Sequence, residues 1–334
     1  MKRMVVFISL IGCLTACERV YIEPNQKATP PELLTELWEN VRDQYAYLEY
    51  KRIDWLAIRD EYTPLVNNQT PTDSLFRIMG DMLYQLQDGH VTLRAGFNSA
   101  RNWDWYLNYP LNYNELFVLQ SYLGNGFSQT GPFRYTILSD SIGYLRYPSF
   151  NSDFSSDQME YVLKQLANTR GLIIDMRGNT GGNAENIAKL MAFFVDRSQA
   201  AGQIVYKSGS APTDFTTSEE IRIAASESVS YQKPIVVLIN RQCYSACNIF
   251  SGFMSQLSQV TLVGDTTGGG GGFPVASELS NGWQYTLTVS RIMLPSGHEL
   301  EGGVPPDINI RTGPEEEQLG YDAIIEEAIV NLSN

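Results

Sequence analysis

Residues 240–250 (NRQCYSACNIF) place a serine where the sequence pattern changes from strand to helix. The apolar run at 234–239 has the length and β-branched content of a buried strand, and apolar residues return at helical spacing after Ala246. Ser245 is therefore predicted on a sharp turn, with the following backbone amides directed at whatever binds there. This arrangement suits a nucleophile and half of an oxyanion hole. Serine is also a common helix N-cap, so both interpretations stay open at this point.

A glycine-rich turn at 178–182 follows a second strand pattern. Residues 171–175 have the pattern of a buried strand, residues 187–195 that of a helix, and the strand at 234 comes next. This order indicates a right-handed parallel crossover. A phosphate-binding loop is the obvious competitor, but no Gly-Lys-Ser/Thr follows and the dinucleotide spacing is absent. Since glycines let backbone amides approach a ligand closely, we expect an oxyanion amide from this turn.

His90 lies where a helical pattern ends and an extended segment begins. The glycine after Asp88 ends the helix, and residues 91–93 start a strand pattern. A helix-to-strand junction next to Asp88 and Gly89 is a poor place to bury a histidine that serves only to pack in the core. Taken alone, His90 is predicted to be either a surface residue or a catalytic base.

Helical patterns dominate the region before His90. Apolar stripes at 33–45, 55–62 and 75–86 predict three helices of a small subdomain. Its aromatic residues favour a core over a ligand site: Trp38, Tyr45, Tyr47, Tyr50 and Trp55. Residues 94–135, rich in Asn, Tyr, Trp and Gly, either line a substrate groove or cover a sheet edge. Further strand patterns occur at 142–147, 260–264 and 285–290, and a last helical pattern at 321–329.

The first residues predict export. Lys2 and Arg3 precede an apolar run at 4–14 that is too short to span a bilayer. Leu-Thr-Ala-Cys at 14–17 resembles the bacterial lipobox, which implies lipidation of Cys17; the alternative is an ordinary signal peptide cut near Ala16. The composition of the 334 residues is that of a globular protein, and a net charge of −13 argues against nucleic acid as a partner.

Cysteines flank the serine turn. Once Cys13 is removed and Cys17 is lipidated, Cys243 and Cys247 remain. A disulfide between residues four apart at a helix start would constrain little, so we expect two buried thiols.

Five segments, taken in order, resemble the C-terminal processing (tail-specific) serine peptidase family in its tricorn-like branch. They are residues 88–90 (DGH), 175–182 (DMRGNTGG), 245–246 (SA), 264–269 (GDTTGG) and 301–307 (EGGVPPD). The resemblance implies an α/β fold with a crotonase-like (ClpP/crotonase) core. It also implies Ser245 as nucleophile and the amides of Gly182 and Ala246 as oxyanion donors, with Gly181 and Arg177 as candidate substrate-binding residues.

The two branches of that family differ in the base. One pairs the serine with a lysine downstream of it, and the other with a histidine far upstream. The last lysine is Lys233, so a downstream Ser-Lys dyad is impossible. The matching motif implies His90 as the base, with His298 as the runner-up. Glu301 is expected to orient the histidine directly or through another group.

The sequence departs from the family pattern in three places. Asn248 stands where a glutamate is usual, and Gly89 stands where the tricorn branch has a serine. Between Leu93 and Ile142 there are too few residues for the PDZ module often found there. Tail recognition through a PDZ groove is therefore not expected.

The predicted organisation is a lipoprotein signal peptide at 1–16, a tether at 17–29, a helical subdomain at 30–90 and an α/β peptidase core at 91–334. The predicted function is a serine endopeptidase of the cell envelope, on the periplasmic or surface face of the outer membrane. It would act on polypeptides through an acyl-enzyme, without metal or cofactor, and touch the membrane only through its lipid. The alternatives are a non-catalytic lipoprotein that binds an apolar ligand on the same fold, and an esterase or acyl transferase. The oligomeric state is left open.

Overall fold

The computed structural model describes residues 28–333. The predicted signal peptide at 1–16, the lipidation at Cys17 and nearly all of the tether at 17–29 lie outside this range. Among the helices at 28–333, none has both the length and the apolar character needed to cross a membrane.

The N-terminal part forms the three predicted helices and then a hairpin. Helix α1 begins behind Thr29, whose backbone N–H donates to Glu32, and α2 begins at Asp54, whose carboxylate accepts from the Ala57 amide at 3.0 Å. The elements are α1 (Pro30–Gln44), α2 (Trp55–Tyr62), α3 (Thr72–Tyr84), β1 (Thr92–Ala95) and β2 (Asn98–Arg101). Four of the five aromatic residues expected in this core are buried, and Tyr50 is the exposed one.

The rest of the chain alternates strands and helices. Its elements are α4 (Asp104–Leu107), α5 (Glu115–Val118), β3 (Ser128–Thr130), β4 (Phe133–Ile137), β5 (Gly143–Arg146), α6 (Ser156–Gln165), β6 (Leu172–Asp175), α7 (Glu185–Met191), β7 (Gln199–Tyr206), β8 (Glu219–Ile223), β9 (Ile235–Ile239), α8 (Ala246–Met254), β10 (Val260–Gly264), β11 (Pro274–Glu278), β12 (Gln284–Thr288), β13 (Ser290–Met293), β14 (Ile308–Asn309), α9 (Pro314–Gln318) and α10 (Ala323–Ser333).

A seven-stranded sheet in the order β14-β10-β9-β6-β5-β4-β3 forms the centre of the molecule. Its strands from β14 to β5 are parallel, and β4 and β3 are antiparallel. Strand β9 carries five consecutive buried aliphatic residues, as expected for a strand covered on both faces. Helices α7 and α8 pack on one face and α10 on the other. The predicted crossover from β6 through α7 to β9 is confirmed.

The helical subdomain shares its core with a second sheet, β11-β12-β1-β2. Strand β1 pairs antiparallel with β12, so Trp283, Tyr285 and Leu287 pack against the side chains of α1 and α3. Residues 274–288, assigned from the sequence to the peptidase core, thus contribute to the core of the N-terminal region. This pairing brings the turn at 88–90 back against the large sheet.

Candidate active site

Ser245 occupies a strained turn between β9 and α8. Its φ of 56° and ψ of −123° are uncommon for a residue with a side chain and cost about 1–3 kcal/mol. The Ser245 amide donates to the Gly269 carbonyl at 2.9 Å, and the Gly268 amide donates to the Cys243 carbonyl at 2.8 Å. These two hydrogen bonds join the glycine turn at 268–272 to the serine turn and hold the serine turn in place.

The turn after β6 lies directly against the serine. Gly181 has a φ of +93°, and a Cβ there would lie 2.8 Å from the Ser245 Cβ and 2.9 Å from the Ala246 nitrogen. Asn179 fixes this turn by accepting from the Gly181 amide at 3.0 Å. Ala246 opens α8, whose N-terminus favours negative charge. Among residues 28–333, the amides of Gly182 and Ala246 donate to no other group.

The structure brings His90 to Ser245. The imidazole Nε2 lies 2.9 Å from the serine Oγ, although the residues are 155 positions apart. The ring packs on Tyr244, with centroids 4.8 Å apart, and its buried Nδ1 has no hydrogen-bond partner within the described part of the chain. The runner-up, His298, points its Nε2 at the Gly303 carbonyl at 2.9 Å and is not brought to the serine.

A buried ionic cluster supports the histidine. The Asp88 carboxylate accepts from the His90 amide at 2.7 Å, from Thr288 Oγ1 at 2.8 Å and from Tyr45 Oη at 3.1 Å. Lys51 Nζ lies 4.0 Å from this carboxylate and 2.7 Å from that of Glu301. Glu301 therefore does not contact the imidazole; it is linked through Lys51 to Asp88, which binds the backbone amide of His90.

Lys51 was not identified from the sequence. It lies in the turn after α1, where no motif or periodicity marks it. Long-range packing brings that turn to Glu301: β1 pairs with β12, and the Ala46 amide, in the same segment as Lys51, donates to the Thr288 carbonyl at 2.9 Å.

Burial sets the charge state of the site. It lowers the pKa of His90 to about 4; Arg101 and Lys51 act in the same direction, and Asp88 opposes them. Burial also raises the pKa of Glu301 to about 7 against the effect of Lys51. Burial opposes ionisation of Asp88, but Lys51 and His90 outweigh it and lower the Asp88 pKa. At neutral pH the imidazole is uncharged and able to accept the serine proton.

The structure shows what two buried polar residues near the site, Arg177 and Asn248, contact. Arg177 is fully buried and pairs with Asp175 at 2.7 Å and Asp322 at 2.8 Å, so the prediction that it binds substrate is wrong. Asn248 accepts from Thr267 Oγ1 at 2.6 Å and donates to the Leu300 carbonyl at 2.8 Å, so a neutral amide fixes the glycine turn.

The cysteines match the expectation. Cys243 and Cys247 are free and buried beneath the serine turn. No cluster of three metal-ligating side chains occurs among residues 28–333.

A cavity of about 460 Å³ opens beside Gly89, the residue that precedes His90. Lys51, Trp105, Arg241 and Tyr244 line it, and the Trp105 ring stacks on Tyr244 at 4.0 Å. The lining is mainly polar. Within residues 94–135, Trp105 lines this cavity, while Val118 packs with α10 against one face of the central sheet.

Comparisons with known proteins identify the family and the fold. The model of Peptidase family S41 matches residues 141–310, and that of the Tricorn protease C1 domain matches residues 26–84. The crystal structure of a candidate peptidase from Parabacteroides merdae is 33% identical, with a TM-score of 0.88 over 92% of this chain and 98% of that one. A photosystem II D1 C-terminal processing protease is 17% identical and aligns with a TM-score of 0.55 over 85% of this chain and 94% of that one. The predicted α/β crotonase-like fold is thereby confirmed.

Curated relatives match a shorter part of the chain. The carboxy-terminal processing protease CtpA of Bacillus subtilis is 30% identical over 186 residues, which is 54% of this chain and 37% of CtpA. CtpB of the same organism is 27% identical over 51% of this chain and 34% of CtpB. The chain thus spans well under half the length of these two relatives.

Proposed function

The chain belongs to peptidase family S41, and from this premise we propose that it is a serine endopeptidase in which His90 activates Ser245. The contact of 2.9 Å between His90 Nε2 and Ser245 Oγ carries this proposal. The family includes enzymes with a lysine base, but the sequence has no lysine after Lys233. Lys51, the buried lysine near the site, is paired with Glu301 rather than with the serine.

The proposed reaction is acyl transfer through Ser245. His90 Nε2 takes the serine proton as Oγ attacks the peptide carbonyl carbon, and the amides of Gly182 and Ala246 donate to the resulting oxyanion. His90 then gives the proton to the leaving amine, and the C–N bond breaks. Water, deprotonated by the same imidazole, hydrolyses the acyl-enzyme. Each oxyanion donor is worth about 3 kcal/mol in such sites, and the base about 10²–10⁴-fold.

Asp88, Lys51 and Glu301 act as positioning residues in this mechanism. Asp88 fixes the backbone of His90 and places a negative charge near the imidazolium that forms. Lys51 keeps the two buried carboxylates apart and compensated. Glu301 thus contributes through Lys51 rather than by touching the imidazole.

The proposed location is the cell envelope, with the chain anchored through lipid on Cys17. The support is the lipobox-like sequence at 14–17 behind a basic and apolar leader. We also propose that substrates are selected by the chain's own cavity rather than by a PDZ groove. In support, β2 to β4 and two short helices occupy the segment between β1 and β5.

Cleavage of a proteome-derived peptide library tests the activity. The unmodified protein should generate new peptide ends, Ser245→Ala should generate none, and His298→Ala should match the unmodified protein. A folded protein that leaves the library intact but hydrolyses p-nitrophenyl esters would replace the peptidase proposal with an esterase. The polar lining of the cavity beside Gly89 argues against the apolar-ligand alternative.

A further inference from the structure

Arg101 is the last residue of β2 and contacts the turn that carries His90. Its Nε donates to the Gly89 carbonyl at 2.5 Å. The guanidinium also lies over the Trp103 ring, 4.2 Å from the centroid, and this second contact helps to fix the side chain. The pairing of β1 with β2 sets Arg101 opposite Thr92, two residues after His90. The hairpin itself therefore keeps the arginine next to the catalytic turn.

The peptide unit between Gly89 and His90 is held at both ends. Its carbonyl accepts from Arg101, and its N–H donates to the Asp88 carboxylate at 2.7 Å. Both hydrogen bonds involve a charged group, and such bonds are roughly twice as strong as neutral ones. Since linked hydrogen bonds polarise one another, each of the two strengthens the other across the peptide. The orientation of this peptide sets the direction of the His90 side chain, whose Nε2 lies 2.9 Å from Ser245 Oγ.

The positive charge of Arg101 also acts on the imidazole. The guanidinium forms no ion pair within residues 28–333, although the whole chain has 37 acidic and 24 basic residues. A nearby cation disfavours the protonated form of a histidine. Burial lowers the pKa of His90 to about 4, and Arg101 acts in the same direction. The arginine thus favours the neutral ring, which is the form that accepts the serine proton.

Other charged and titratable groups face the imidazole or its turn. They come from the end of α1 and the turn after it, from the His90 turn, from the serine turn and from the segment before β14: Tyr45, Lys51, Asp88, Tyr244 and Glu301. Of the two cations that act on the ring, Lys51 is paired with Glu301, whereas Arg101 donates to a backbone carbonyl. Replacing Arg101 therefore changes the charge near the ring without leaving a carboxylate unpaired.

We propose that Arg101 is a positioning residue of the active site, whose guanidinium fixes the peptide between Gly89 and His90 and whose charge keeps the imidazole unprotonated. This inference rests on the proposed function and adds to it a residue that acts through His90 rather than on the reacting atoms. No sequence motif marks Arg101, because its role depends on the pairing of β1 with β2.

The pH dependence of the fluorophosphonate labelling rate separates the two effects of Arg101. In Arg101→Gln the rate at neutral pH should fall roughly ten- to hundredfold, since a displaced imidazole no longer aligns with Ser245. The acid limb of this variant should move upward from about pH 4, because loss of the cation favours the imidazolium. In Arg101→Lys the limb should stay where it is in the unmodified protein. The rate should lie between those of the other two proteins, because the ammonium keeps the charge but lacks the planar fork.

Arg94→Gln is the matched control, because Arg94 is an exposed residue of the neighbouring strand β1. It should leave the rate and the limb unchanged. An unchanged rate at neutral pH in folded Arg101→Gln, or an equal loss in Arg94→Gln, would overturn the positioning role. An acid limb that stays in place in Arg101→Gln, or that moves equally in Arg101→Lys, would overturn the role of the charge. Where Arg101→Gln does not fold, as judged by circular dichroism, Arg101→Met keeps the apolar stem and has the same expected results.

Titration of His90 by NMR separates failure of this inference from failure of the proposed activity. The chain has two histidines, so the imidazole signal of His90 is the one that is lost in His90→Ala. The pKa of His90 should be higher in Arg101→Gln than in the unmodified protein, and unchanged in Arg94→Gln. An equal pKa in Arg101→Gln contradicts the role of the charge even where labelling occurs. A raised pKa in a protein that no fluorophosphonate labels retains the effect of the arginine and rejects the serine peptidase.

Discussion

The imidazole of His90 is enclosed by Tyr244 and the Asp88 turn, and its burial governs how the site responds to pH. Burial lowers the pKa of His90 to about 4, below the value near 6.5 of an exposed histidine. Because only the neutral ring accepts a proton, the rate of Ser245 acylation should fall as pH drops through about 4, not through 6.5. The measurement is the pH dependence of the labelling rate with a fluorophosphonate.

Glu301 supplies the control for this pH profile. Burial raises its pKa to about 7, so Glu301→Gln removes any limb near neutrality that belongs to the carboxyl group. A half-loss of rate at pH 6 to 7 that persists in Glu301→Gln would contradict the assignment of the lower limb to His90. The lowered pKa of His90 also means that stability present above pH 6.5 is lost as pH falls toward 4, so folding is checked by circular dichroism at each pH.

Lys51 holds the ionic cluster together, and its removal should destabilise the fold. Lys51→Met leaves Asp88 and Glu301 buried without a cation, which we expect to lower the free energy of unfolding by about 3–5 kcal/mol. Adding Glu301→Gln should recover part of this loss. Urea denaturation of the single and double variants measures both effects.

An exposed ion pair gives the matched comparison for Lys51. Lys189 lies 2.6 Å from Asp153 at the surface, and Lys189→Met should cost only about 0–1 kcal/mol. If Lys51→Met destabilises the protein no more than Lys189→Met, the cluster does not support the site.

Two turns contact each other at the active site, one after β6 and one after β9. A Cβ at Gly181 would lie 2.6 Å from the Tyr244 carbonyl oxygen and 2.8 Å from the Ser245 Cβ. Gly181→Ala should therefore push the serine turn away from His90 and reduce the fluorophosphonate labelling rate by at least about a hundredfold, comparable to loss of the base.

Gly297→Ala is the control that separates the effect of backbone strain from the effect of contact with the serine turn. It also has a positive φ, +84°, but a Cβ there meets nothing within 4 Å. Gly297→Ala should lower the melting temperature slightly and leave the labelling rate unchanged. Similar labelling losses in Gly181→Ala and Gly297→Ala would show that the contact between the turns is not what positions Ser245.

The elements that the sequence predicted best are those with strong local patterns. The runs at 171–175 and 234–239 are buried strands, and the helices after them begin close to the predicted residues. The pairing of β1 with β12 was not predicted, because register between strands nearly 200 residues apart leaves no local signal. The same lack of a local signal explains why Lys51 was missed and why the ion pair of Arg177 with the distant Asp322 was not predicted.

The whole molecule joins an N-terminal helical region to the peptidase sheet through the active site. Lys51 comes from the turn after α1, His90 from the turn after α3, and Ser245 from the end of β9. The match to the Tricorn protease C1 domain over residues 26–84 therefore includes a residue that contacts the catalytic cluster. In the proposed mechanism the helical region therefore contributes to the site.

The proposed location of the whole protein rests on lipidation of Cys17. If this cysteine is lipidated, the full chain expressed in a bacterium should incorporate labelled palmitate and sediment with the membrane fraction. Cys17→Ala should abolish incorporation and move the protein to the soluble fraction or block its processing. Incorporation of label by Cys17→Ala, or its absence from the unmodified protein, would contradict the proposed anchor. Cys243→Ala is a control because that thiol is buried.

The rate at which a fluorophosphonate modifies the protein tests the pairing of His90 with Ser245 most directly. The account predicts a single adduct, mapped to Ser245 by mass spectrometry and absent in Ser245→Ala. It predicts a rate at least about a hundredfold lower in His90→Ala, and an unchanged rate in His298→Ala. Labelling of folded His90→Ala at the unmodified rate, or an adduct on another residue, would contradict it.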